Sequence, residues 1–226
     1  MFLTIKKQTL ILIGVLLTIF IACVSLPSIV VFSPKTEFVI VIDAGHGGRD
    51  GGSVGINTKV TESELNLRYA FSLKTKCENY GIKVIMTRTD NNGLYTVFSE
   101  NKKKDDMRAR EKIIYESNAD LVISLHMNSF ANRNYKGAQV FFKKEDESGK
   151  FLAKNIQTEM LLKLPNAKKE ILVGDYYLLN CTNIPSIIIE CGFLSNADEE
   201  LLLQDENYIN LVSQTIFCGI INFLGQ

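Results

Sequence analysis

Two hydrophobic periods run through the chain. Phe38–Asp43 is a continuous apolar stretch closed by an acid, the pattern of a strand covered on both faces. Ile82–Thr87, Leu121–Leu125, Ala138–Phe142 and Ser186–Glu190 repeat it. Between these runs the spacing changes to that of a helix. In Glu62–Asn79, Leu67, Ala70, Leu73 and Cys77 share one face, and Thr61 with Glu64 offers an N-terminal capping box. Met107–Ser117 and Phe151–Leu164 read as further helices, the latter stopped by Pro165. Ile209, Val212, Ile216, Ile220 and Phe223 mark a closing one. The polar stretch Asn91–Asp105, with Lys102, Lys103 and Lys104, reads as a solvated loop. Strand–helix alternation predicts an α/β layered fold with a mostly parallel sheet and helices on both faces. Ligands of such sheets bind beyond the carboxyl ends of the strands.

One segment stands outside this alternation. Thr9–Phe32 carries no charge, follows Lys6 and Lys7, and precedes Lys35. It is long enough for the ~20 apolar residues of a membrane span, and the two lysines predict a cytoplasmic N-terminus with the body exported. Residues 1–34 are therefore expected to be a signal-anchor or a signal peptide, and 35–226 the functional domain. Lipid modification at Cys23 is a weaker alternative, because Phe20-Ile21-Ala22 is a poor approach sequence.

Charge changes the picture only a little. The whole chain has formal net charge +0, so the body beyond Lys6 and Lys7 is slightly acidic. That excludes the basic footprint of a nucleic-acid binder and speaks against capture of polyanions. The five cysteines have no CxxC pairing, which excludes zinc-finger and thioredoxin readings; most are expected to be small core residues.

The candidate chemistry lies just past the strand ends. Asp43-Ala44-Gly45-His46-Gly47-Gly48 presents an imidazole after the first strand, and Ser124-Leu125-His126-Met127-Asn128 presents the second after another. They are the only two histidines. Glu190 ends a β-branched strand, and Glu62 opens the helix that follows the His46 loop. Two neutral imidazoles and a carboxylate with an open fourth position make a catalytic zinc site. A second, unligated carboxylate can then move the proton of the attacking water. Composition leaves open which of Glu62 and Glu190 is ligand and which is base. Taken alone, Glu62 fits a helix N-terminus, worth ~0.3–1 kcal/mol. Glu190 after Ser186-Ile187-Ile188-Ile189 must instead reach solvent, a cation or a metal. Gly51-Gly52-Ser53-Val54-Gly55 fits the nucleophile pattern G-x-S-x-G by chance, since no strand ends and no helix starts at Ser53. Ser124 shares a strand face with His126, and its hydroxyl is expected to pack or to support the site rather than attack substrate.

These residues also carry a resemblance. Val41–Gly52 (VIDAGHGGRDGG), Glu62–Leu67 (ESELNL), Thr87–Asp90 (TRTD), Ala119–Asn128 (ADLVISLHMN), Lys136-Gly137 and Glu190–Asn196 (ECGFLSN) occur in one order, and together they resemble the zinc-dependent N-acetylmuramoyl-L-alanine amidases of the amidase_3 family. The resemblance implies a mixed, mainly parallel sheet of about six strands, with His46, Glu62 and His126 as Zn2+ ligands and Glu190 as catalytic acid/base. It implies peptidoglycan as substrate, cleaved between N-acetylmuramic acid and L-alanine. A membrane lead on a bare catalytic domain is similar to the spore-cortex members, which prepare muramic δ-lactam for germination. An exported site on the outer face of the membrane or in the forespore wall space follows, with an accessory protein or a homodimer as open partner questions. Two other readings remain at this point: a carboxypeptidase-like zinc hydrolase, with Arg49, Arg88, Arg108 or Arg110 clamping a terminal carboxylate, and a catalytically silent wall-binding module.

Overall fold

A computed structural model describes residues 37–225. The apolar run at Thr9–Phe32 lies outside the described residues; among the described ones no helix is long and apolar enough to cross a membrane. The elements are β1 (Val39–Ala44), α1 (Glu62–Asn79), β2 (Lys83–Met86), α2 (Lys102–Glu116), β3 (Leu121–Asn128) and β4 (Gln139–Phe142). They continue as α3 (Glu147–Lys163), β5 (Leu172–Val173), α4 (Tyr177–Asn180), β6 (Ser186–Phe193), α5 (Ala197–Gln204) and α6 (Glu206–Leu224).

Six strands form one sheet in the order β2-β1-β3-β6-β4-β5. β2, β1, β3 and β6 run parallel, and β4 pairs antiparallel to β6. The sheet is thus mixed and mainly parallel, as the resemblance implied. The central strands are apolar throughout because both faces are covered. On one face Ile40, Ile42, Leu121, Ile123 and Ile187 meet α1, α3 and α6 through Leu65, Leu73, Ile156, Val212 and Ile216. On the other, Val39, Val41 and Val122 pack with Ile114 of α2 and Leu178 of α4. α3 and α6 touch closely at Gly219, where a Cβ would lie 2.6 Å from the Ile156 Cα.

The expected strands and helices are present, with one substantial correction. The segment read as a loop through Asp105 is helical from Lys102 onward. The Asn101 side chain caps it, accepting from the Lys104 amide at 3.0 Å. Its first turn has no apolar residue, and the face it buries is Asp106, Arg110 and Ile114. That first turn leaves no hydrophobic period to read, whereas the remainder, Met107 onward, is the helix the sequence predicts. Three lysines at its N-terminus also oppose the helix dipole. Short or exposed elements, β5, α4 and α5, carry too little apolar pattern to be foreseen. β6 runs past Glu190 to Phe193. Cys77 and Cys191 are buried as expected, Cys181 and Cys218 are half-buried, and these four are unpaired.

Candidate metal centre and catalytic cleft

The parallel strands end together and set the site. β1 stops at Ala44, and the chain turns so that His46 sits just beyond it in left-handed backbone, φ 62. Such a conformation is unfavourable for a residue with a Cβ. Two buried arginines hold the turn. The Arg110 guanidinium donates to Asp43, to the Ala44 carbonyl (2.9 Å) and to the His46 carbonyl (2.5 Å). Arg88 donates to the carbonyls of Ala44 (2.8 Å), Gly45 (3.0 Å) and Ser63 (2.7 Å). Gly45 is obligatory for space: a Cβ there would lie 2.3 Å from the His126 ring.

His126 lies on β3, in register with Glu190 on β6. Glu62 begins α1, whose cap is the Thr61 side chain accepting from the Glu64 amide. All four sequence-predicted site residues therefore converge on one cleft. His46 Nε2 is 3.1 Å and His126 Nδ1 2.8 Å from the same Glu62 Oε1. The two rings stand edge to face, centroids 5.0 Å apart. One donor atom from each of His46, Glu62 and His126 lies within 4.8 Å of the others, so the three can hold a metal ion. Glu62 is fixed from behind: its Oε2 accepts from the Ser53 amide (2.8 Å), its Oε1 from the Met127 amide (3.2 Å). Burial opposes its ionisation, yet the bonds to His126 and His46 hold the carboxyl well below its ordinary range.

Glu190 has the opposite environment. Its Oε2 is buried with no hydrogen-bond partner. Burial pushes its pKa up to about 7, against the smaller pull of His126. A carboxyl titrating near neutrality beside an anchored, ionised one is the division expected of an acid/base and a ligand.

One neighbour, Asp50, was not singled out from sequence. Asp50 Oδ1 lies 3.0 Å from His46 Nδ1 and also accepts from the Gly52 amide at 3.1 Å. Arg88 and Arg110, offered as carboxylate clamps, are instead buried under the His46 turn, and Arg108 is exposed away from the cleft; of the four, Arg49 alone lies exposed on the cleft wall. Ser53 supports Glu62 through its amide and begins no helix. Ser124 donates to Asp43 (2.6 Å), a supporting bond as expected. The cleft has a volume of about 980 Å³.

Comparison with known proteins decides the family. The Amidase_3 family, described as N-acetylmuramoyl-L-alanine amidase, matches residues 40–222. The chain belongs to this amidase family. Among relatives, it is 36% identical over 198 residues to the germination-specific N-acetylmuramoyl-L-alanine amidase of Bacillus subtilis, covering 85% of this chain and 82% of that one. The structure of the CwlD amidase from Clostridioides difficile in complex with the GerS lipoprotein superposes with TM-score 0.80 at 36% identity, covering 84% of this chain and 99% of that one. The catalytic domain of CwlV from Bacillus (Paenibacillus) polymyxa var. colistinus gives 0.74 at 29% identity, with 83% and 98% covered. The amidase is thus an enzyme of the hydrolase class, which removes the silent-module reading.

Proposed function

We propose that this amidase hydrolyses the amide between N-acetylmuramic acid and L-alanine in peptidoglycan, and that it does so in the spore cortex. The carrying observation is the convergence of His46, Glu62 and His126 on one point beside a buried, unpartnered Glu190 oxygen. The donor set, two imidazoles and a carboxylate, suits Zn2+ with an open position. When bound, zinc polarises the scissile carbonyl and lowers the pKa of water to ~7. Glu190 accepts a proton from the attacking water and delivers it to the leaving L-alanine nitrogen; the water's second proton follows to the same nitrogen as the C–N bond breaks, so the peptide departs as an ammonium and the lactyl group as a carboxylate. Ser53 and Met127 amides keep Glu62 aimed while this happens.

The spore-cortex assignment draws on the germination-specific relative and on CwlD. The charge-free run from Thr9, preceded by Lys6 and Lys7, supports residues 1–34 as the export or anchor segment and 35–226 as the catalytic domain. The CwlD complex supports an accessory lipoprotein as partner. Digestion of purified peptidoglycan with the zinc-loaded protein, products read by mass, is expected to release intact stem peptides with N-terminal L-alanine. Release of a C-terminal amino acid alone would sink the amidase reading in favour of the carboxypeptidase.

Asp50 enters this reading as a positioning residue. Its carboxylate accepts the Nδ1 proton of His46, which leaves Nε2 free to face the ion. Removing such a partner lowers metal affinity by ~10–100-fold. Asp50→Ala is expected to show that loss in a competition titration with a chelating dye. Wild-type zinc affinity in Asp50→Ala would refute the role.

A further inference from the structure

Charge on the cleft walls is uneven. Five acids line the cleft, and all are engaged at its floor. Asp43 and Asp106 pair with Arg110, Asp50 with His46, and Glu62 and Glu190 belong to the proposed centre. The remaining cations are on one wall. Arg49 lines it with no carboxylate in ion-pair range among the described residues. Lys102 lies beside it, its Nζ 5.8 Å above the Tyr95 ring, and Lys103 reaches Asp50 only at 3.9 Å. Tyr95 ties the two segments together, its hydroxyl accepting from the Arg49 amide at 2.7 Å. Tyr176 and Leu178, also on the lining, are uncharged. A body with a slight excess of acids thus presents Arg49 and Lys102, without a carboxylate partner among the described residues, and the loosely paired Lys103 to one side of its centre.

We propose that Arg49, Lys102 and Lys103 form the subsite that receives the acidic peptide half of the substrate, and that they set its direction across the centre. The proposal rests on the amidase reading and adds to it a specificity for free carboxylates. The two halves of the substrate differ in the required way: the sugar half presents hydroxyls and an acetamide, whereas the peptide half carries its carboxylates beyond the scissile nitrogen. Carboxylates docked on this wall hold the amide over His46, His126 and Glu190. The lysines that the sequence pattern assigned to a solvated loop acquire a role because the chain there is the first turn of α2, held at the cleft mouth by the Asn101 cap.

Calorimetric binding of two probes to the zinc-loaded full chain tests this. One is an L-alanine-led tripeptide with free carboxylates, the other the same peptide with them converted to carboxamides. The acidic peptide is expected to bind about tenfold more tightly, a margin that high salt shrinks. Arg49→Gln with Lys102→Gln is expected to erase the preference while leaving the carboxamide peptide unaffected, and Arg49→Lys is expected to retain most of it. Equal binding of both probes by the wild type, or an undiminished preference in the Gln variant, overturns the subsite. Failure of the amidase reading is distinct: peptidoglycan would yield no stem peptides even where the probe preference persists.

Discussion

Glu190→Gln is expected to abolish stem-peptide release while zinc content stays at the wild-type level, and His126→Ala is expected to lose both. The two substitutions separate roles that sequence composition leaves undivided. Glutamine matches glutamate in shape, and the Glu190 oxygen it alters has no hydrogen-bond partner, so the fold has little reason to respond. What goes is the capacity to take and return a proton, worth ~10²–10⁴-fold in rate. His126→Ala instead removes one of the three donors and leaves His46 and Glu62 without a closed set. Zinc binding to the native state raises its stability by mass action. The rise in melting temperature on adding zinc should therefore appear in the wild type and in Glu190→Gln and vanish in His126→Ala. Equal loss of zinc from both variants would overturn the assignment of Glu190 as the proton carrier.

Legibility of this site in the sequence followed from topology. Parallel strands buried on both faces write themselves as apolar runs, and their ends share one edge of the sheet, so His46, His126 and Glu190 could be brought together before any contact was known. Glu62 was readable because a capped helix begins on it. The support beneath them was not. Arg88 and Arg110 bind carbonyls of Ala44, Gly45 and His46, and backbone acceptors leave no residue-type signature. The first turn of α2 hid for a related reason, since Lys102–Asp106 carries charge instead of apolar residues, whereas Met107–Ser117 was legible as a helix. The antiparallel entry of β4 depends on a connection whose direction no periodicity records. At its start Gly137 adopts φ 105 over the Asn166 carbonyl, where a Cβ would lie 1.7 Å from that oxygen. The invisible part is the ionic and backbone scaffolding, and it is this part that sets the angle of His46.

Arg110→Met should accordingly be among the most destabilising single changes in the amidase. The Arg110 side chain is 1% exposed, and its guanidinium joins Asp43 and Asp106 to the carbonyls of Ala44 and His46. Methionine fills much of the same space but leaves the wholly buried Asp43 carboxylate without its cation. Breaking a buried pair in this way costs ~3–5 kcal/mol. The pH dependence identifies the cause. Burial alone would raise the Asp43 pKa; Arg110, Ser124 and Thr87 overcome it and hold it at about 2, below the ordinary 3.8 of an aspartate. A depressed native pKa gives stability that is fully present above 3.8 and lost as pH falls through about 2. Without the guanidinium, burial raises the native pKa, and protonation relieves the variant earlier than the wild type. The gap in melting temperature between the two proteins, both metal-free, should therefore be widest near neutrality and narrow as pH falls toward 3.8 and on toward about 2. A gap that stays constant across that range would mean that Arg110 acts through packing and the backbone carbonyls rather than through the charge of Asp43. Asp43→Asn in the Arg110→Met background supplies the complementary sign: removing the stranded charge should return part of the stability, so the double variant melts above the single one, as expected for two groups that act as a unit.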